Sequence, residues 1–390
     1  MSRFTIPRSI FYGPGSIKEL ANIKERKRAF IVTDGLMAQL GTMSKLEGIL
    51  QGAGMETYCY TKVENDPAIE TVLDGAKQMQ EFCPDFIVAL GGGSCIDAAK
   101  GMWVFYEHPE LTFEKILHDG GIPALRHKAI LAAIPSTSGT GSEVTSFAVI
   151  SDHKAKVKYP IVDYEVTPDI AVLDEEITAT MPPKLVSYTG LDALCHGIEA
   201  YVAKGRSNFT NPLAIHAITI IFGYLKDSYD GNLAARGEMH IAQCMAGMAF
   251  ANAELGITHS LAHAIGGTFH LPHGLCNAIL MPYVIKYNCR NRPAMRHYAN
   301  IGRRLGLEGL REMNLVNSLI REINEIESYM NVPKTFADAG ISEFKFIMEK
   351  ENIAKNAFND NCTVSNPRDT SPEDLLHILE CAYYGKPVIL

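Results

Sequence analysis

The sequence predicts an α/β domain built on a parallel sheet, followed by an all-helical domain. Three observations carry this. Short β-rich runs alternate with helical patterns through about the first 180 residues. Helical periodicity takes over after "MPPK" at 181–184, where strand signals almost vanish. The chain has 390 residues, enough for about two domains at the usual ~100–200 residues each. The expected domains are therefore 1–180 and 181–390, packed closely with a ligand cleft between them.

Taken in order, "AFIVTD" (29–34) reads as a buried strand leading into the helical "GLMAQLGTMSKLEGILQGAG". Asp66-Pro67 reads as a helix start, with Asp66 as cap and Pro67 in the first turn. "DFIVAL" (85–90) is a second buried strand, running into "GGGSCIDAAKGMWVF", and "AILAAIP" (129–135) a third, ending in "STSGTGSEVT". "FAVISDHKAKVKYPIVD" reads as a hairpin and "DIAVLD" (169–174) as a last strand. The helical half contains "LVSYTGLDALCHGIEAYV", "LAIHAITIIFGYLK", "IAQCMAGMAFANAEL" and "VNSLIREINEIESYM".

Composition narrows the function. A net charge of −8 and a pI near 5.9 argue against a nucleic-acid or anionic-membrane partner, which would need a basic patch. Nine scattered cysteines, never spaced C-x-x-C, fit a reducing compartment. The N-terminal stretch lacks the apolar core of a signal peptide, and the most apolar helical window is too short to span a bilayer. A cytoplasmic protein acting on small molecules is the expectation.

Strand, glycines and helix in "PDFIVALGGGSCIDAAKG" make a phosphate seat. Gly91, Gly92 and Gly93 let backbone approach a ligand, and the helix start offers unpaired N–H groups. The pattern is neither G-x-G-x-x-G nor a P-loop, and a tight turn without ligand is its alternative. Asp34, ending the first strand, either accepts from ribose hydroxyls and repels a 2′-phosphate or caps the next helix. "PSTSGTGSEVT" (135–145) adds hydroxyls and flexible amides at a third strand end.

"GITHSLAHAIGGTFHLPHG" (256–274) holds four of thirteen histidines. His259 and His263 lie four apart, on one helix face; Gly266-Gly267 is expected to break that helix, and His270 and His273 follow. Upstream, Asp192 and His196 share the four-residue spacing. One carboxylate with several imidazoles suits Zn²⁺ or Fe²⁺ rather than Mg²⁺ or Ca²⁺, though spacing alone leaves open which three imidazoles bind. Such an ion stabilises an alkoxide, and an alkoxide gives up hydride to a nicotinamide. Metal plus dinucleotide points to alcohol–carbonyl interconversion.

"GGGSCIDAAK", "PSTSGTGSEVTSFAVI", "GLDALCHGIEAYV" and "HSLAHAIGGTFHLPHGLCNAILMP" closely resemble the iron-containing (group III) alcohol dehydrogenases, as do "SIFYGPGSIKEL" and "NCTVSNPRDTSPEDL". The resemblance implies a Rossmann-like N-terminal domain and an overall dehydroquinate synthase-like architecture. It implies Asp192, His196, His259 and His273 as metal ligands, with His263 off the metal as proton relay. Asp34 would contact the adenosine ribose and favour NAD; Gly92, Gly93 and Ser94 would hold the pyrophosphate; Thr137, Ser138, Thr140, Phe147, Val149 and Lys158 would line the cofactor. Phe250 and Cys362, with Phe147, would form the substrate pocket. Asp66 stands where relatives often have an asparagine, Cys195 replaces a small residue between the first ligand pair, and Glu254 adds a carboxyl that either reaches the pocket or points to solvent. The implied enzyme is an NAD-dependent, Fe²⁺- or Zn²⁺-dependent dehydrogenase of small primary alcohols, diols, hydroxy acids or sulfonates, working as a homodimer or larger ring. Its rivals are a metal-dependent lyase of the dehydroquinate synthase type, which would need a basic pocket, and a non-catalytic nucleotide- or metal-binding protein.

Overall fold

The computed structural model describes residues 3–118, 121–153 and 157–389. The tip of the expected hairpin, 154–156, and the ends of the chain, 1–2 and 390, lie outside them. The chain divides into two compact units, Met1–Thr180 and Met181–Leu390.

The first unit runs β1 (Ser9–Tyr12), β2 (Arg28–Asp34), α1 (Gly35–Gln39), α2 (Thr42–Gly52), β3 (Glu56–Val63), α3 (Ile69–Phe82), β4 (Phe86–Gly91), α4 (Gly93–Glu107), α5 (Phe113–His118), β5 (Ile130–Pro135), β6 (Phe147–Asp152), β7 (Val157–Val162), β8 (Ile170–Leu173) and α6 (Glu175–Thr178). Six strands form one sheet in the order β1-β8-β5-β4-β2-β3, and every pairing in it is parallel. Alternate residues of each central strand feed opposite cores. Phe30, Val32, Ile87 and Ala89 pack with α3 and α4 on one face, and Ala29, Ile31, Val88 and Leu90 with α2 on the other. Burial on both faces explains why these strands read as unbroken apolar runs. Strand order reverses between β2 and β4, so Asp34 and Gly91 end neighbouring strands at the switch point where open α/β sheets bind ligands.

Sequence reading misses β1 and β3. β3 is an edge strand whose Glu56, Thr57 and Lys62 are polar and whose residues are mostly half-exposed, so its apolar signal is diluted. The hairpin is present: β6 and β7 pair antiparallel from Phe147↔Val162 to Asp152↔Val157.

Asp66 is not a helix cap. Helix α3 starts at Ile69 behind Ala68, and the Asp66 carboxylate instead accepts from Ser151 Oγ at 2.7 Å and pairs with Lys158 at 2.8 Å. Glu64 takes over the local donors, accepting from the Ala68 amide at 2.8 Å. A carboxylate near a helix start goes to the stronger partner, here an ammonium brought in by β7.

Every regular element among the described residues of the second unit is a helix: α7 (Pro183–Val202), α8 (Thr210–Tyr229), α9 (Leu233–Ala253), α10 (Ile257–Phe269), α11 (His273–Asn288), α12 (Arg292–Arg304), α13 (Glu312–Tyr329), α14 (Glu343–Phe358), α15 (Asn361–Ser365) and α16 (Pro372–Tyr384). Gly266-Gly267 does not break α10, which continues to Phe269 and stops at His270 in the left-handed conformation, φ 55°. Glycine costs a helix about 1 kcal/mol per residue, a penalty that the buried apolar face of α10 offsets. Among the described residues, no helix is long and apolar enough to cross a membrane.

Candidate active site

Helix α7 presents Asp192 and His196 one turn apart, both buried. Helix α10 brings buried His259, and His273 is the first residue of α11. Asp192 Oδ1 lies 4.0 Å from His196 Nε2, 3.8 Å from His259 Nε2 and 3.6 Å from His273 Nε2. All three histidine Nε2 atoms thus face the same Asp192 oxygen, and Asp192, His196 and His259 bring ligand atoms within 4.8 Å of one another, with His273 joining through Asp192. Gly274 permits it: a Cβ there would stand 2.2 Å from the Tyr188 carbonyl oxygen, so α11 begins in backbone contact with α7.

Two residues that sequence reading did not single out complete the cluster. Asn277, one turn after His273, donates from Nδ2 to Asp192 Oδ1 at 2.7 Å and lies 3.1 and 3.0 Å from the Nε2 atoms of His259 and His273. One amide group with two hydrogens therefore faces three acceptors, while its own Oδ1 is buried without a partner. That excess of lone pairs at a single point is what a cation would relieve. Glu199, two turns after Asp192 on α7, accepts from His259 Nδ1 at 2.6 Å, Gly256 N at 3.0 Å and Thr258 N at 2.8 Å. It thereby fixes the His259 proton on Nδ1 and turns the Nε2 lone pair towards Asp192. Helical spacing was the available signal in both cases.

Electrostatics agree with a donor set of free lone pairs. Burial holds His259 well below the usual imidazole range, and desolvation by the cluster lowers His273 to about 3 although its side chain is 40% exposed, both against the opposing pull of Asp192. Burial alone would raise Asp192, but the three surrounding histidines bring its carboxyl below its ordinary value. Neutral imidazoles beside an ionised carboxylate fit a borderline divalent ion. The Glu199 carboxyl is pushed up by burial, its N–H donors offsetting this only in part.

The remaining candidates flank the cluster. His196 is stacked between Phe250, with centroids 4.4 Å apart, and His259, at 4.7 Å. Cys195 Sγ sits 3.9 Å from His259 Nδ1, on the Glu199 side, with its thiol raised well above normal by burial. His263 stacks on His273 with centroids 5.1 Å apart, and its Nδ1 lies 2.9 Å from Asp360 Oδ2. Asp360 precedes Cys362, whose amide it caps at 2.8 Å. Glu254 is exposed, with a positive φ of 67° between α9 and α10, and is bonded to the Ser365 hydroxyl. His270, also exposed, serves the turn that ends α10.

In the first unit, Gly92 caps α4 with an extended backbone and no side-chain bond, and of the first-turn amides that of Cys95 bonds the Gly92 carbonyl at 3.1 Å. A Cβ on Gly93 would stand 2.9 Å from Thr140 Cγ2, and one on Gly92 3.7 Å from Thr137 Cγ2. The hydroxyl loop after β5 therefore lies directly on the glycine turn, with Ser138 buried in the same loop. Asp34 does cap α1: its Oδ1 accepts from Met37 N at 2.8 Å, while Oδ2 faces Cys95 Sγ at 3.4 Å. Ser94 Oγ accepts from the Asp66 amide at 3.3 Å, and Lys158 is paired to the Asp66 carboxylate. Buried Lys100 ties this region together, donating to Ser142 Oγ at 3.1 Å and to the Thr145 and Phe147 carbonyls at 2.9 and 2.6 Å. Asp97 accepts from the Val149 amide at 3.0 Å.

Residues 7–175 match the family description "Iron-containing alcohol dehydrogenase", and residues 186–383 match "Fe-containing alcohol dehydrogenase family, C-terminal". The chain is 50% identical over 388 residues to the NADPH-dependent butanol dehydrogenase of Clostridium saccharobutylicum, covering 100% of both. It is 39% identical over 413 residues to the bifunctional aldehyde-alcohol dehydrogenase of Escherichia coli K12, covering 98% of this chain but only 46% of that protein. Several other relatives are likewise about twice its length. The solved iron-containing alcohol dehydrogenase of Thermococcus thioreducens superposes with a TM-score of 0.91 at 36% identity, over 99% of this chain and 100% of that one. The chain belongs to the iron-containing alcohol dehydrogenase family.

Proposed function

We propose that this enzyme interconverts a small primary alcohol and its aldehyde, using NAD(H) and one divalent ion held by Asp192, His196, His259 and His273. The reaction balances as aldehyde, NADH and a proton giving alcohol and NAD⁺. The observation that carries the reading is the focus of three side chains, Asp192, His259 and His273, on the Asn277 amide, where acceptors outnumber hydrogens, with His196 on the other side of Asp192 Oδ1 at 4.0 Å. Bound there, Fe²⁺, or Zn²⁺ in its place, supplies a Lewis acid for the alcohol or carbonyl oxygen.

The chain's own groups do the rest. Glu199 keeps His259 in the tautomer that offers Nε2. His263 carries the proton: its Nδ1–H donates to Asp360 Oδ2, leaving Nε2 free to exchange a proton with substrate or solvent. The Asp360 carboxyl is desolvated, yet His263 and the Cys362 amide draw it down to about 2, so it stays a hydrogen-bond acceptor. Phe250, stacked on His196, and Cys362, beside the relay, are the proposed substrate-pocket side chains of the second unit.

Gly92, Gly93 and Ser94 would seat the pyrophosphate, with Thr137, Ser138 and Thr140 against them and Phe147, Val149 and Lys158 further along the cofactor. NAD is the proposed dinucleotide because the Asp34 carboxylate, fixed at the end of β2, repels a 2′-phosphate. The butanol dehydrogenase relative carries NADPH in its name, so cofactor preference is the first quantity to measure. A cytoplasmic homodimer or larger homo-oligomer is the proposed working form.

The deciding experiment is an anaerobic screen of NADH and NADPH oxidation across small aldehydes, with added Fe²⁺, Zn²⁺ or chelator. Turnover that follows metal content supports the reading, and full turnover by metal-free protein overturns it.

A further inference from the structure

We propose that His263, Asp360 and Cys362 form a second metal site, one that takes a borderline divalent cation such as Zn²⁺ and shuts the enzyme down. One nitrogen, one oxygen and one sulfur ligand atom from these residues lie within 4.8 Å of one another. This donor set differs from that of the Asp192 cluster by including a thiol, which selects Zn²⁺ over hard cations.

The site is partly built in advance. Asp360 is held at the start of α15, where its Oδ1 accepts from the Cys362 amide at 2.8 Å and lies 3.4 Å from the Ser260 hydroxyl. Ser260 in turn receives the Thr363 hydroxyl at 2.8 Å. These contacts leave Oδ2 aimed at His263 Nδ1, 2.9 Å away. Nitrogen and oxygen ligands at ~2.0–2.1 Å in a tetrahedral shell stand about 3.3 Å apart, so the pair needs to open by only a few tenths of an ångström. Solvent reaches it: the His263 and Asp360 side chains are 45% and 22% exposed.

Charge balances as well. A Zn²⁺ ion displaces one proton, from the Cys362 thiol, while the Nδ1 hydrogen of neutral His263 moves to Nε2, and the thiolate together with the already ionised Asp360 carboxylate neutralises the ion. No electron moves. Burial and the carboxylates of Asp360, Glu199 and Glu254 keep the thiol protonated otherwise, which makes it inert as a nucleophile. The neighbouring trio of Cys195, Glu199 and His259 is no rival, because the Glu199 oxygens already accept three N–H groups.

Inhibition follows from the tautomer, and this step rests on the proton-carrying role proposed for His263. An ion on Nδ1 forces the neutral ring to keep its hydrogen on Nε2, so Nε2 no longer accepts a proton. Occupancy removes the relay without touching the four ligands of the first cluster.

The test uses the metal-loaded enzyme under anaerobic conditions, with Co²⁺ as spectroscopic probe and Zn²⁺ as inhibitor. Wild type should take up a second equivalent of Co²⁺ and develop a thiolate-to-cobalt charge-transfer band. Excess Zn²⁺ should lower its aldehyde-reduction rate by roughly a hundredfold, the lower end of what positioned proton transfer supplies. Cys362→Ala, compared with its own zinc-free rate, should lose both the band and the sensitivity; Cys362→Ser serves if the alanine variant does not fold. No band in wild type, or equal zinc sensitivity in wild type and variant, overturns the proposal. A His259→Ala arm separates the two readings: loss of resident metal with the band retained supports both, and retained resident metal counts against the first cluster alone.

Discussion

Replacing Glu199 by glutamine tests whether the carboxylate behind His259 tunes the metal. The side chains are nearly isosteric, so packing in α7 is preserved. In the favoured orientation the glutamine oxygen takes the place of Oε2, keeping the Gly256 and His259 hydrogens, and the amide group turns towards the Thr258 N–H. The bond to His259 Nδ1 then changes from charge-assisted to neutral, a loss of about 1.5 kcal/mol from the ranges for the two kinds. One negative charge next to the ligand set also disappears. Together these correspond to a roughly 10–100-fold weaker metal site, the usual penalty for losing such a partner. The assay is competition between apo-enzyme and a chromophoric chelator for Co²⁺, with circular dichroism confirming the fold. A dissociation constant within twofold of wild type would refute the reasoning and leave Glu199 a merely structural residue.

His263→Ala should keep stoichiometric metal by elemental analysis yet turn over about 10²–10⁴-fold more slowly; lost metal would make His263 a ligand instead. Asp34→Gly should raise the kcat/KM for NADPH relative to NADH, and an unchanged ratio would reduce Asp34 to its capping bond with Met37. Glu327 is buried in α13 with Oε1 unpartnered, and desolvation pushes its carboxyl up to about 8. Because the folded state holds this proton more tightly than the unfolded chain, stability falls as pH rises from about 4.5 to about 8, at ~1.4 kcal/mol per unit. Glu327→Gln should therefore raise Tm at pH 8 and leave it near wild type at pH 4.5, a difference that thermal unfolding at the two pH values measures.

What the sequence discloses follows from where each signal is generated. The buried strands at 29–34 and 85–90 are legible because both of their faces are apolar. β3 is hidden because an edge strand needs only one good face. Asp192/His196 and His259/His263 stand out because a four-residue interval is a geometric statement about one helix. Glu199 and Asp360 look like ordinary acids until the fold brings them to His259 and His263, 60 and 97 residues away in sequence. Asp66 shows the converse: its local cap reading is sound chemistry, but Lys158 and Ser151, supplied by a distant hairpin, outcompete the backbone. Two glycines inside α10 likewise suggest a break that tertiary packing prevents.

The missing side chain at Gly274 sets the tolerance of the whole centre. Any β-carbon at that position would collide with the Tyr188 carbonyl, 2.2 Å away, and force α11 and α7 apart. Metal–ligand bonds accept errors of only about 0.2 Å. The distance between Asp192 and His273 is thus gauged by main chain resting on main chain, a mechanical stop that side-chain repacking elsewhere cannot reset.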